Sequence, residues 1–295
     1  MDQFIQTAIN GLMLGGFYGV MVLGFSVIWG VMGVINLAHG EFVMLGAYMA
    51  WILNTQLGWD PFLTPLVVIP VMFVIGYILQ RVLINRIVEG PHLISLLVTF
   101  GLGIMMANIV KLLFTADPRI TETVLKGFWP VGSVTVPKTK SGILVAALII
   151  MITLHFFLQR TRLGKSIRAA AQNREAARMV GIEIKTVYAL TFGICIALTG
   201  VAGVLISPTQ AIFPFMGASL TLRAFAITAL AGLGSVFGAL AGGIFLAMIE
   251  VFVATYVPGV GTNMGIVISF VLLVTVLVVR PQGLLGGLKP ASEVR

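Results

Sequence analysis

The run 7-TAINGLMLGGFYGVMVLGFSVIW-29 decides the class of fold. It carries no charged residue, and as a helix it would extend roughly 34 Å, enough for a hydrocarbon core of ~30 Å that needs about 20 apolar residues. Six more runs of this kind follow: Phe62–Leu79, Leu93–Phe114, Ile143–Leu158, Val187–Ile206, Val236–Val257 and Met264–Val279. Two weaker stretches complete the set. Asn36–Leu53 holds His39, Gly40 and Glu41 near its start, and Leu220–Leu233 is short and contains Arg223.

The whole chain agrees. Its 295 residues include 18 Lys and Arg and 10 Asp and Glu, so 9% are charged, against about 25% in soluble domains. Hydrophobic residues make up 59% and the mean hydropathy is +1.08. A soluble fold of this size could not cover its surface with so few charges. Disordered, collagen-like and disulfide-stapled classes are excluded too, the last because Cys195 is the only cysteine. The expectation is an all-α polytopic membrane protein of the inner membrane, a single domain over residues 1–295. About eight transmembrane helices are expected: nine if both weaker stretches cross, seven if both are re-entrant. Short or broken helices are expected near residues 36–53 and 220–235.

The net charge of +8 reads as topology and not as nucleic-acid affinity, because Lys and Arg gather on the cytoplasmic side of membrane proteins. The first cation is Arg81, so no cleavable signal is expected at the N-terminus. Placing Arg81, Arg86, the seven cations from Arg160 to Lys185, and Arg280, Lys289 and Arg295 on one side accounts for 12 of 18. Residues 160–185 then form a cytoplasmic loop and residues 115–140 an external, periplasmic one. The N-terminus lies outside and the C-terminus in the cytoplasm.

Two glycine ladders, Gly11/Gly15/Gly19 and Gly234/Gly238/Gly242, have the spacing that lets helix backbones approach closely in lipid. Gly232, Gly234 and Gly238 miss the dinucleotide spacing by one residue, and Gly164-Lys165-Ser166 lacks the glycine a phosphate loop requires at Gln159. The chain is therefore read as having no nucleotide site of its own. His39, His92 and His155 are too scattered for a metal site.

The polar segment Gly164–Lys185 cannot cross lipid. Ser166–Met179 reads as one short amphipathic helix with a basic face and an apolar face of Ile167, Ala170, Ala171 and Val180, stopped by Gly181. Inside it stands Glu175-Ala176-Ala177-x3-Gly181, which resembles the loop by which ABC importer permeases grip their ATPases. Gly30-Val31 through Asn36-Leu37-Ala38-His39-Gly40-Glu41 resembles the G-V-x4-N-x-A-H-G-E signature of permeases in branched-chain amino acid ABC importers, the LivH/LivM type. Ala229 to Gly243 is similar to that family's G-G-L-G-S-x-x-G-A block, and Arg280-Pro281-Gln282-Gly283-Leu284 to its R-P-x-G-L tail. The four blocks stand in family order from about Gly11 to Gly286. One element departs from the pattern, since Tyr188-Ala189-Leu190-Thr191 lacks the proline expected after the loop.

The resemblance implies the shorter, LivH-like subunit of an ATP-driven importer for branched-chain or other neutral amino acids. It also implies a second permease of the longer, LivM-like kind, two cytoplasmic ATPases that use ATP and Mg, and a periplasmic solute-binding protein. Gly164, Arg168, Arg174, Glu175, Ala176, Ala177 and Gly181 would couple the ATPases. Relatives for urea or short amides, and a stand-alone secondary carrier, are the alternative functions. A membrane enzyme would need clustered acids or a nucleophile that the sequence does not show.

Ionisable groups inside spans cost about 2.5–3.5 kcal/mol each on insertion scales and are functional candidates by default. Asn36, His39 and Glu41 are candidates for a gate or path lining, or for a polar network that holds a broken helix. Thr221, Arg223, Thr228, Ser235 and Glu250 complete the candidates, with Glu250 a possible partner of Arg223.

Overall fold

In the computed structural model, residues 2–88, 90–132, 134–231, 236–257 and 264–279 are described. Every apolar stretch read from the sequence carries a helix: α1 Asp2–Met32, α2 His39–Leu57, α3 Pro65–Val82, α4 His92–Phe114, α5 Lys138–Arg160, α8 Ile184–Ile206, α9 Met216–Ala231, α10 Val236–Tyr256 and α11 Gly265–Val279. Among the described residues, six helices are long and apolar enough to cross a membrane by length and composition alone. The weaker stretches are α2, whose first turn is polar, and α9, which has 16 residues.

Side-chain contacts sort the connections onto two faces. The Gln6 amide donates to the Thr135 carbonyl at 2.9 Å, and its oxygen accepts from Thr135 N. That places residues 115–137 beside the start of α1. Asn54 bonds both ways with Glu122, and Arg119 pairs its backbone with Ile212. The same N-terminal face therefore holds the ends of α2 and α8. The residue 160–183 segment lies at the other end of α5 and α8, on the loop face.

The first ladder packs as expected. A side chain on Gly11, Gly15 or Gly19 would meet Met248, Ile244 or Leu240 of α10 respectively, so α1 and α10 run antiparallel. The same register argument applies to α3 and α8: a side chain at Gly76 would strike Ile196 and Gly193, and one at Gly200 would strike Met72 and Val68. Thus α1–α3 and α8–α10 interlock, the first helix of each trio pairing with the third of the other. α1 and α8 themselves cross where Gly24 meets Thr199 and the Cys195 carbonyl. α1 and α8 are buried along most of their length and form the spine of the core. α3, α4 and α5 turn one face inward and present apolar residues such as Leu66, Leu112 and Ile149 outward.

Three local features differ from the sequence reading. Residues 115–140 are not a plain loop: β1 Phe128–Val131 and β2 Val134–Pro137 pair antiparallel, Trp129 opposite Val136. The amphipathic segment is two helices, α6 Arg162–Gln172 and α7 Arg174–Met179, not one. Asn173 breaks it with extended backbone, and its side chain caps α7 by accepting from Ala176 N at 3.0 Å. Val180 also departs from its expected inward face: it is 76% exposed, because α7 ends at Met179 and Val180 lies in the cap beyond it.

Candidate functional site

The polar candidates at the start of α2 meet at a break in the membrane-depth backbone. After Met32 the chain runs non-helically through residues 33–38 before α2 begins. His39 Nε2 lies 2.8 Å from the Met21 carbonyl, so α2 starts beside the middle of α1 and not at its end. Backbone without helical bonds at this depth needs protein partners. Asn36 Oδ1 accepts from Ala38 N at 3.1 Å, and Thr99 of α4 accepts from Leu37 N at 3.0 Å and donates its one hydroxyl hydrogen to the Ser95 carbonyl at 2.8 Å. Thr221 of α9 accepts from Gly40 N at 2.8 Å and donates to the Leu37 carbonyl at 3.2 Å.

Glu41 joins the same cluster from the first turn of α2. Its carboxylate lies directly against Gly217 in the first turn of α9, so that any side chain at Gly217 would overlap it. Gly40 in turn meets the Gly217 carbonyl so closely that neither position admits a Cβ. The two broken helices thus touch at their starts through paired glycines. A carboxylate at the beginning of α9 sits where the helix dipole favours negative charge. Asn36, His39 and Glu41 are all at least 94% buried, inside this chain and among its own helices. Among the described residues Asn36 Nδ2, His39 Nδ1 and Glu41 Oε2 are buried without a hydrogen-bond partner.

A second cluster joins α1, α9 and α10. Arg223 Nε lies 3.2 Å from Glu250 Oε1, and the Tyr18 hydroxyl donates to Glu250 Oε2 at 2.6 Å. The pairing suggested for Arg223 and Glu250 is present, and Tyr18 is the member the sequence did not reveal, since a tyrosine in an apolar run has no distinguishing signal. Thr228 is buried on α9 with no hydrogen-bond partner among the described residues. Ser235, Gly232, Gly234 and the Arg280–Leu284 block lie outside the described residues.

The loop-face candidates are arranged around α6 and α7. Thr161 caps α6 by accepting from Gly164 N at 2.9 Å, and Gly164 is buried against the end of α5, where a Cβ would overlap the Phe157 carbonyl. Ile167, Ala170 and Ala177 face the bundle, and the Arg174 guanidinium stands 5.4 Å over the Tyr188 ring of α8. Arg168, Glu175, Ala176 and Gly181 are exposed. Of the two alanines expected to couple the ATPases, only Ala176 faces outward; Ala177 is buried in this chain's own core. Met179, 84% exposed, and Val180 replace it on the outer side. Gly181 has φ +84, the left-handed conformation that ends α7. Thr161 and Asn173 were legible as capping residue types before helix formers, had the segment been divided.

This arrangement is that of an all-α polytopic membrane protein. The profile of the family described as branched-chain amino acid transport system, permease component, matches residues 7–277. The chain is 31% identical to the high-affinity branched-chain amino acid transport system permease protein LivH of Escherichia coli K12, over 96% of each chain. It is 33% identical to BraD of Pseudomonas aeruginosa, also over 96% of each. It is 25% identical to LivM of Escherichia coli K12, over 94% of this chain and 70% of that one. Among solved structures, PsaBC from Streptococcus pneumoniae in complex with Fab shares the fold, with a TM-score of 0.50 at 14% identity, over 93% of this chain and 91% of that one. The chain belongs to the branched-chain amino acid permease family and is a multi-pass membrane permease subunit of the LivH type.

Proposed function

We propose that this subunit forms half of the translocation pathway of an ATP-driven importer for branched-chain amino acids in a bacterial inner membrane. The other half is a related permease, a reading supported by the likeness to both LivH and LivM. The N-terminal face is external and receives a solute-binding protein. The loop face is cytoplasmic, as the cations of residues 160–185 favour. There two ATPases, using ATP and Mg, dock on α6 and α7 of the paired permeases.

The observation that carries this reading is α7 itself. It is a capped helix of six residues held to the bundle by Ala177 and Arg174, with Glu175, Ala176, Met179 and Val180 left outward. A helix this short has no intrinsic stability, so its ordered, outward-facing position suits a part that transmits force to a partner.

The test is to co-express the chain with the ATPases, second permease and binding protein from its own operon, and to replace Arg174–Gly181 by a Gly/Ser segment of equal length. Membrane insertion should persist while ATPase copurification and leucine uptake are lost. Unchanged copurification would refute the docking role. Uptake without ATPases would point to a secondary carrier.

A further inference from the structure

Of the two buried carboxylates within the spans, one has a cation and the other has none. Glu250 has Arg223 at 3.2 Å. Glu41, 6% exposed, has no such partner among the described residues, and its Oε2 is buried without a hydrogen bond. A charge at membrane depth is costly unless it is paired. An ordered water would satisfy the hydrogen bond of Oε2 but not its charge. The complement of Glu41 is therefore a positive group that also donates.

The groups beside Glu41 call for the opposite sign. Its carboxylate lies against Gly217 in the first turn of α9. A helix start carries partial positive charge and leaves its first N–H groups without intrahelical partners. At α9, Met216 N donates to the Phe213 carbonyl at 3.2 Å, and among the described residues no side chain accepts from Gly217, Ala218 or Ser219 N. Asn36 adds a further donor. Its Oδ1 is used by Ala38 N, while its Nδ2 is buried with no acceptor. Ala38 and Glu41 face the same point of α4, since a side chain at Gly103 would touch both. His39 turns away, to the Met21 carbonyl and the Phe25 ring of α1.

An unpaired negative charge thus stands beside donors that have no acceptor. A single ligand that complements both carries an ammonium and a carboxylate on one carbon. Half-helix starts at membrane depth are suited to the anionic group of such a ligand. We propose that the junction of α2 and α9 binds the backbone of an amino-acid zwitterion in transit, with the α-ammonium on Glu41 Oε2 and the α-carboxylate on Asn36 Nδ2 and the first N–H groups of α9. The choice of a free amino acid rests on the function proposed above; the pattern of charges does not. These groups read the backbone of the solute and leave its side chain unread. In this structure Gly40 closes on the Gly217 carbonyl, so the solute enters when α2 and α9 part.

The test is photolabelling of the paired permeases with their ATPases in nanodiscs, turning over MgATP without the binding protein. Photo-leucine keeps the ammonium and carboxylate of leucine and carries a diazirine in its side chain. It should label residues 33–41 or 216–225 of this chain, located by mass spectrometry. Excess leucine should suppress that labelling at least about tenfold, whereas 4-methylpentanoate, which lacks the ammonium, and leucinamide, which lacks the carboxylate, should not. Labelling only elsewhere, or equal suppression by all three, would overturn the site. Glu41→Gln should lower labelling at least about tenfold with Tm and ATPase copurification unchanged, and Glu41→Asp should keep part of it. Native labelling in Glu41→Gln would also overturn the site. If Glu41→Gln does not assemble, the labelling pattern of the unsubstituted complex decides. Leucine uptake is measured in liposomes with the binding protein. Junction labelling without uptake would overturn the transport reading and leave the site standing; uptake without junction labelling would do the reverse.

Discussion

Removing Arg223 should destabilise the bundle far more than removing Arg223 and Glu250 together. The pair lies 3.2 Å apart, with side chains 15% and 7% exposed. At an effective dielectric of 20, the attraction at that distance is about 5 kcal/mol, largely offset by the desolvation of both ions. Arg223→Met leaves the Glu250 carboxylate buried without its cation, which costs about 3–5 kcal/mol. In the double variant Arg223→Met/Glu250→Met both charges go, and the loss should shrink to about 1–2 kcal/mol, set by the hydrogen bond from Tyr18, which has lost its acceptor. The assay is a double-mutant cycle on thermal unfolding of the purified complex in detergent, followed by size-exclusion fluorescence. At roughly 2 °C per kcal/mol for a chain of this size, Arg223→Met should lower Tm by on the order of 6–10 °C, and the double variant by less than half of that. Additive single-variant effects, with no coupling, would show that the two groups do not meet in the native complex.

Three further outcomes follow from the same geometry. Gly203→Ala puts a methyl group into the Val43 carbonyl and Ala47 amide of α2, so it should cost at least about 1–3 kcal/mol of stability, read as lost monodisperse expression. Asn173→Ala removes the α7 cap. It should weaken that helix by about 1 kcal/mol and lower ATPase copurification, with the Tm of the membrane bundle unchanged. On the N-terminal face, the hydrogen bond from Lys126 holds the Glu122 carboxyl below its usual range. Whatever the pair contributes is therefore present above the ordinary carboxylate range and lost as pH falls through the lowered value. Since both side chains are exposed, Lys126→Ala should leave Tm unchanged from pH 6 to 8.

Helix positions were legible in the sequence because a run such as Thr7–Trp29 has no other use in so few charges. Helix partners were not. In lipid the outward face is as apolar as the core, so polarity does not tell Leu112, which faces outward, from Leu102, which is buried. Glycine spacing did mark the α1 surface that meets α10, since close backbone approach needs small residues. It could not show that α8 makes the matching contact with α3. The polar residues followed the same rule. Glu41, Arg223 and Glu250 stood out by charge, and the structure gives two of them each other. Tyr18 went unnoticed, being an ordinary residue type whose significance lies in what surrounds it. The break at Asn173 was hidden because Ser166–Met179 is rich in helix formers on both sides of it, and one capping side chain outweighed that propensity.

The glycine contacts of α2 have a consequence for how the protein is made. α2 opens with His39, Gly40 and Glu41 and is held by Gly200 and Gly203 of α8 and Gly217 of α9. Those partners lie more than a hundred residues later in the chain. At about 5–20 residues per second, α2 leaves the ribosome roughly 10–30 s before its seat exists. During that interval a helix with a carboxylate in its first turn must shelter against α1 or the insertion machinery, for bare lipid would reject it. Biogenesis of this permease therefore includes a waiting step, ended only when α8 and α9 arrive to close over the helix that preceded them.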